Sequence, residues 1–299
     1  MIPDPKKTYL LSISGGKDST AMWLYLAREL KLPNIVAIFA DTGWEHPLTY
    51  EYLDYLEREL GPLVRVKHDL DFVQLAKKKK RFPSTRARFC TEYLKMKPTK
   101  AWLEAQFASG ALDRANVIQC SGVRHEESPA RARMAAFVEK DDYNHLPQWR
   151  PIISWTWQEV FAIHAKHGVD PNPLYKLGMG RVGCMPCIMA NFPEVAEIAR
   201  RFPEVIDKVE QAEATVSRGD DQPSSFFAAD TIPERFRSRV WTHPKTGEKH
   251  RVNTARDVFE YAKLTKPERQ FGGELPPLFA EEDENESLGA CSSPYGLCE

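Results

Sequence analysis

The sequence predicts an α/β protein organised on a parallel sheet. Three observations carry this. Short apolar runs alternate with helical patterns over the first 120 residues, the runs are continuous rather than alternating, and two of them break at polar, glycine-containing turns. Continuous apolar runs suit strands buried on both faces, as in a parallel sheet covered by helices.

The first run, Tyr9-Leu10-Leu11-Ser12-Ile13, leads into Ser14-Gly15-Gly16-Lys17-Asp18-Ser19. A helical pattern follows, with Met22, Leu26 and Leu30 on one face and Trp23 and Ala27 beside them. This reads as a strand, a tight loop and a helix N-terminus. Glycine lets the backbone turn and approach a ligand closely. The helix start offers free N–H groups and a positive dipole end to a phosphate. Lys17 adds a full charge, and Ser14 and Ser19 add hydroxyls. A Walker A pattern cannot be laid on these residues.

Ile35-Val36-Ala37-Ile38-Phe39-Ala40 is the second strand, ending in Asp41-Thr42-Gly43-Trp44-Glu45-His46-Pro47. Leu53, Leu56 and Leu60 mark a helix closed by Gly61-Pro62, and Val64-Arg65-Val66 a third strand. Ligands of such sheets bind at the carboxyl ends of the strands, where both polar turns fall. The segment from Phe72 carries Lys77, Lys78, Lys79, Lys80 and Arg81, continued by Arg86 and Arg88. It reads either as a solvated face or as a phosphate-contacting patch. Pro98 suits the first turn of a helix through Trp102, Leu103 and Phe107, with Gly110 as its stop. Val117-Ile118-Gln119-Cys120 is a further strand. It ends in Ser121-Gly122-Val123-Arg124, from which Arg124 can aim a guanidinium fork at a phosphate or sulfate.

Thr156 and Glu159 form a capping box for a helix that buries Val160, Phe161 and Ile163 and stops at Gly168. Helices are predicted near Pro193, near Pro203 and over residues 255–264, with a turn over residues 242–249. From Phe271 the composition shifts to Gly-Gly, Pro-Pro and an acidic run at residues 281–286, which predicts a disordered linker. The expected division is a nucleotide-binding domain over residues 1–190, a helical appendix over 191–270 and a flexible acidic tail over 271–299.

Net charge is -1, so any polyanion must be held by a local patch. No apolar run approaches the ~20 residues of a membrane span. The N-terminal residues lack the apolar core of a signal peptide, so the expectation is a cytoplasmic protein without a membrane partner. In that compartment the six cysteines read as ligands, nucleophiles or core residues. Cys184 and Cys187 form a C-x-x-C between glycine and proline, which suits a metal, an iron–sulfur cluster or a redox dithiol. Cys90 is the natural third ligand, with Arg86, Arg88 and Arg181 expected to lower the thiol pKa values. Cys291 or Cys298 could supply a fourth ligand or a mobile nucleophile. Cys120 reads as a core residue.

Several features in order resemble the phosphoadenosine phosphosulfate reductase family of PP-loop enzymes. They are Ser14-Gly15-Gly16-Lys17-Asp18-Ser19, Asp41-Thr42-Gly43 with Pro47, and Cys90-Thr91 with Leu94-Lys95 and Pro98. The series continues with Ser121-Gly122-Val123-Arg124, Asn172-Pro173-Leu174-Tyr175, and Gly183-Cys184 with Cys187. The resemblance covers roughly residues 7 to 190. It implies a Rossmann-like, doubly wound, mostly parallel sheet binding an adenine nucleotide, ATP with Mg2+. Ser14, Gly15, Gly16, Lys17, Asp18, Ser19, Asp41, Thr42, Gly122 and Arg124 would line the nucleotide site. Lys17, Asp18, Arg124 and Cys298 would serve catalysis.

One C-T-x-x-L-K before a G-C-x-x-C is similar to the sulfur-transfer branch, including DNA phosphorothioation enzymes. That implies a 4Fe–4S cluster on Cys90, Cys184, Cys187 and Cys291. It also implies a nucleic-acid acceptor at residues 77–81, a sulfur-donor protein such as a cysteine desulfurase, and a homodimer. The terminal Tyr295-Gly296-Leu297-Cys298-Glu299 shares a terminal cysteine with the reductases but not their Glu-Cys-Gly-Leu-His motif. The leading expectation is cleavage of ATP to AMP and pyrophosphate with adenylylation of an acceptor and sulfur transfer. The alternatives are reduction of adenylyl sulfate or phosphoadenylyl sulfate, and nucleotide binding without turnover inside a larger complex.

Overall fold

A computed structural model describes residues 3–216, 224–243 and 245–264. The acidic tail, with Cys291 and Cys298, lies outside the described residues. The main sheet has six strands: β1 (Thr8–Ile13), β2 (Ile35–Asp41), β3 (Leu63–Lys67), β4 (Val117–Ser121), β5 (Phe137–Val138) and β6 (Gln148–Trp149). Their order is β3-β2-β1-β4-β6-β5. All pairs are parallel except β5 with β6. The chain moves outward from β1 through β2 to β3, then returns to place β4 on the other side of β1. That reversal opens a crevice at the carboxyl ends of β1 and β4.

Both faces are covered, as the continuous apolar runs require. One face packs Tyr9, Leu11 and Ile13 against α1 (Lys17–Leu24), α2 (Pro47–Leu60) and α5 (Trp157–His167). The other packs Leu10, Ile38, Val66 and Val117 against Leu103 of α4 (Lys97–Ser109). The helix punctuation follows the sequence. Thr156 and Glu159 cap α5 reciprocally, and Gly110 and Gly168 end α4 and α5 in the left-handed conformation. After α3 (Phe72–Lys78), Lys80 takes φ 55, which turns the chain out of the helix.

A third cluster joins residues 44–94 to the helices that follow residue 190. Val195 and Ile198 of α7 (Phe192–Arg201) and Val205, Ile206 and Val209 of α8 (Pro203–Thr215) pack with Val258 and Phe259 of α9 (Ala255–Lys263). The same cluster holds Trp44, Phe72, Phe82 and Leu94 from the first hundred residues. The turn predicted over residues 242–249 joins two antiparallel strands, β7 (Arg239–Thr242) and β8 (Lys249–Val252). Among the described residues no helix is long and apolar enough to cross a membrane.

Candidate active site

The Ser14–Ser19 loop folds tightly on itself. The Ser14 N–H donates to Ser19 Oγ, and Ser19 Oγ lies 3.0 Å from the Gly16 carbonyl oxygen, to which it donates. Gly15 takes φ +73 beside Thr49, a conformation that favours glycine. A Cβ on Gly122 would stand 2.6 Å from the Asp18 carbonyl oxygen, so only glycine lets the end of β4 press on the start of α1.

Lys17 is the first residue of α1 and is only 4% exposed. Its ammonium is 3.0 Å from Asp18 and lies over the Tyr175 ring at 5.3 Å. Lys17 is enclosed in this way because the chain from residue 172 folds over the loop. Asn172 donates to the Gly15 carbonyl at 3.1 Å, and the Lys17 N–H donates to the Tyr175 hydroxyl at 2.9 Å. These two braces come from α6 (Pro173–Lys176) and its cap. The sequence offered them as part of a motif but gave them no role.

Arg124 is buried, and its Nε donates to Asp18 at 2.5 Å. Its other contacts are Glu126 and the Trp155 carbonyl, so the guanidinium in this structure faces carboxylates rather than an open phosphate site. Burial alone would raise the Asp18 pKa, but Lys17 and Arg124 outweigh it and hold the carboxyl below its ordinary range. Asp41 behaves alike: burial is opposed by the Tyr50 hydroxyl, the Gly43 N–H and Lys67, and the net shift is downward.

The Asp41–His46 turn is fastened to the C-x-x-C loop through the backbone. The Met185 N–H donates to the Trp44 carbonyl at 2.9 Å, and Trp44 Nε1 donates to the Pro186 carbonyl at 3.0 Å. Thr42 and Glu45, both buried, meet the thiol of Cys184: its Sγ is 3.5 Å from Thr42 Oγ1 and 3.5 Å from Glu45 Oε1. Glu45 was not singled out in the sequence, although it sits within a segment that was.

Cys90, Cys184 and Cys187 are free and partly exposed, while Cys120 is fully buried in β4 as its apolar run predicts. Lys95 lies within electrostatic reach of all three partly exposed thiols: its ammonium is favoured by Cys184 first and then, against burial, by Glu45, Cys187 and Cys90. Burial pushes the Cys184 thiol up to about 11 despite Lys95, and it raises Cys90 as well. For Cys90 and Cys184 this corrects the expected lowering by Arg86, Arg88 and Arg181, the last of which interacts with Cys187 instead. Arg86 and Arg88 are exposed, and Arg181 is held by Glu194 at 3.0 Å. Among the described residues, no three His, Cys, Asp or Glu side chains stand in the arrangement that holds a single metal ion.

A cavity of about 310 Å3 opens at the carboxyl ends of β1, β2 and β4. Ser14, Ala40, Gln119, Asn144, Glu45, Lys95 and Gly183 are among its walls, so Lys95 both lines the cavity and interacts electrostatically with the thiols. The basic residues 77–81 are exposed, with Lys79 over the Tyr93 ring at 4.3 Å. They lead into a second cavity of about 630 Å3, bounded among the described residues by Phe82, Ile188, Arg237, Arg239, Trp241 and Arg251.

Comparison with known proteins gives a family match. Residues 8–190 match the family described as the phosphoadenosine phosphosulfate reductase domain. An uncharacterized 37.8 kDa protein of Escherichia phage 186 is 37% identical over 97% of this chain and 96% of its own length. The adenosine 5'-phosphosulfate reductase of Anoxybacillus flavithermus is 27% identical over 52% of this chain, and the matched part spans 63% of that protein. Among solved structures, the phosphoadenylyl-sulfate reductase from Candida auris in its phosphate complex is similar at a TM-score of 0.44 and 17% identity. That match covers 62% of this chain and 82% of that one.

Proposed function

The chain belongs to the phosphoadenosine phosphosulfate reductase domain family, and from that premise we propose an enzyme that splits ATP between its α and β phosphates, adenylylates an acceptor and supports sulfur transfer to it. The observation that carries this reading is Lys95. One residue lines the cavity and interacts electrostatically with three thiols. Delivery of sulfur to an activated atom requires those two chemistries to be neighbours.

Lys17 and the N-terminus of α1 would stabilise the negative charge that develops on the departing pyrophosphate. Asn172 and Tyr175 hold the loop's backbone so that this charge is positioned before the substrate arrives. Asp18 and Asp41 are already engaged by cations and donors, so Mg2+ would enter on the phosphates of ATP. Cys90, Cys184 and Cys187 would be three ligands of a 4Fe–4S cluster, their thiolate character supported by the shared counter-charge of Lys95, with Cys291 or Cys298 available as a fourth. When bound, such a cluster supplies iron that can take sulfide or substrate sulfur. Lys95 and the Thr42 hydroxyl would offset the charge of the ligating sulfurs.

The competing reading is reduction of a sulfonucleotide with Cys298 as nucleophile, favoured by the name of the Anoxybacillus flavithermus relative. Anaerobic assays divide the two. Pyrophosphate release from ATP is the expected result. Sulfite release from adenylyl sulfate or phosphoadenylyl sulfate, without pyrophosphate release from ATP, overturns it. Tight ATP binding with neither product would leave a nucleotide-binding subunit of a larger complex.

The acceptor in this reading is a nucleic acid. Residues 77–81 and the arginine-lined cavity beside them form a basic surface on a chain of net charge -1. Replacing Lys77, Lys78 and Lys80 by Gln should weaken binding of a nucleic-acid probe and flatten its salt dependence through lost counterion release. An unchanged slope counts against this acceptor.

A further inference from the structure

The C-x-x-C segment reaches both cavities. Gly183, before Cys184, lines the smaller one, and Ile188 and Ala190, after Cys187, line the larger. At about 630 Å3 the larger cavity has the size of a small-ligand site, which spans about 300–1,000 Å3. Its described lining carries Arg237, Arg239, Arg251 and His250 against one carboxylate, Asp230. Residues 82–85 form one wall, and the exposed cations Lys77 to Arg81 on one side and Arg86 and Arg88 on the other flank that wall in the chain.

The hairpin of β7 and β8 forms another wall. Trp241 and His250 stand opposite each other in its register, with ring centroids 5.9 Å apart and planes 29° apart, so the hairpin carries a ready-made stack. Two of the arginines are committed to the fold. Arg237 Nε donates to the Ile232 carbonyl at 2.8 Å and its Nη1 to the Arg251 carbonyl at 3.2 Å, while Arg239 lies 3.8 Å from Glu213. The Arg251 side chain is exposed and has no partner among the described residues. A stack of rings and an uncommitted cation therefore share one braced hairpin.

We infer that the larger cavity receives an unpaired base of a single-stranded nucleic acid, stacked on Trp241 and His250, with the strand's phosphates on Arg251 and the basic segment over residues 77–88. This rests on the nucleic-acid acceptor reading and adds the form of the acceptor and the place where a base enters. Inside a duplex both faces of a base are covered by its neighbours, so an aromatic stack in a cavity serves only a base that has left the helix or never joined one. The cations give affinity for any polyanion, whereas the rings ask for a flat face. The placement also brings the bound strand beside the loop that carries Cys184 and Cys187.

The test uses the full chain and equilibrium binding of three probes over a range of salt concentrations. They are a short single-stranded oligodeoxynucleotide, the same strand in a duplex, and an abasic strand of equal length, which keeps the phosphates and lacks the bases. Wild-type protein should bind the single strand more tightly than either of the others. Trp241→Ala should weaken binding of the single strand about tenfold or more, the scale of one base on an aromatic ring, and leave its salt slope unchanged. Its affinity for the abasic strand should stay as in the wild type, which also shows that the hairpin is intact, and Trp241→Phe should recover most of the loss. Arg251→Gln should instead lower the salt slope by about one and weaken the single strand and the abasic strand alike. Equal wild-type binding of all three probes, or an equal loss on the single and abasic strands in Trp241→Ala, overturns the base site and leaves the acceptor reading standing. Failure of the wild type to bind any of the three overturns the nucleic-acid reading itself.

Discussion

At the scale of single residues, the charge at the start of α1 makes the clearest demands. Lys17→Met keeps an unbranched side chain but removes the ammonium that lies over the Tyr175 ring. ATP turnover should fall on the order of a hundredfold or more, the usual cost of one preorganised contact to developing charge. Unchanged turnover, measured as pyrophosphate release, would remove Lys17 from the reaction. Asp18 makes a separate prediction about acid. Its folded pKa is depressed, so its contribution to stability is fully present above the unfolded value of about 3.9 and is lost as pH falls through the folded value. Asp18→Asn should lower Tm at neutral pH and flatten the decline of Tm between about pH 5 and 2. Lys17 and Asp18 could be read from the sequence because they sit in a short local motif. Glu45, Asn172 and Tyr175 could not be given roles, because each acts on a partner brought near only by folding. The burial that raises the Cys184 thiol was invisible for the same reason. Charged neighbours can be counted along a chain, whereas desolvation depends on what packs over the sulfur.

At the scale of elements, the strands and helices around the sheet could be read because each carries its own period and punctuation. The two-residue strands β5 and β6 could not, being too short for any period to show. The segment Thr91–Met96 is a π-helical turn that runs straight into α4. Its wider winding sets Cys90, at its start, and Lys95, near its end, beside the C-x-x-C loop, an arrangement that no spacing rule predicts. Cys90→Ser and Cys184→Ser, purified without oxygen, should each lose most of the iron and sulfide expected of the wild type. Cys120→Ser should keep it, since that side chain is enclosed in β4. Full iron in either of the first two variants, or stoichiometric zinc in the wild type, would replace the cluster assignment.

At the scale of the whole molecule, α7, α8 and α9 and the segment from Trp44 to Leu94 share one hydrophobic cluster. The helices were readable from their apolar stripes, but a stripe states that a face is buried and leaves its partner open. Phe259 is fully enclosed, so Phe259→Ala should cost about 3–5 kcal/mol. Because the cluster ties residues 44–94 to the helices after residue 190, unfolding followed by urea should remain a single transition at a lower midpoint. Separate transitions for residues before and after 190 would show that the two parts are only loosely joined.

The clasp between Trp44 and the Met185-Pro186 backbone has a thermodynamic consequence. Residues 41–45 border the smaller cavity, proposed to take the nucleotide, through Glu45 and touch the sulfur of Cys184 through Thr42 and Glu45, so one short wall serves both compartments. A ligand that shifts this wall on one side changes the free energy of occupancy on the other. Such coupling is reciprocal. Whatever factor nucleotide binding applies to the affinity of the thiol centre for its ligand, loading of the thiol centre must return to the nucleotide.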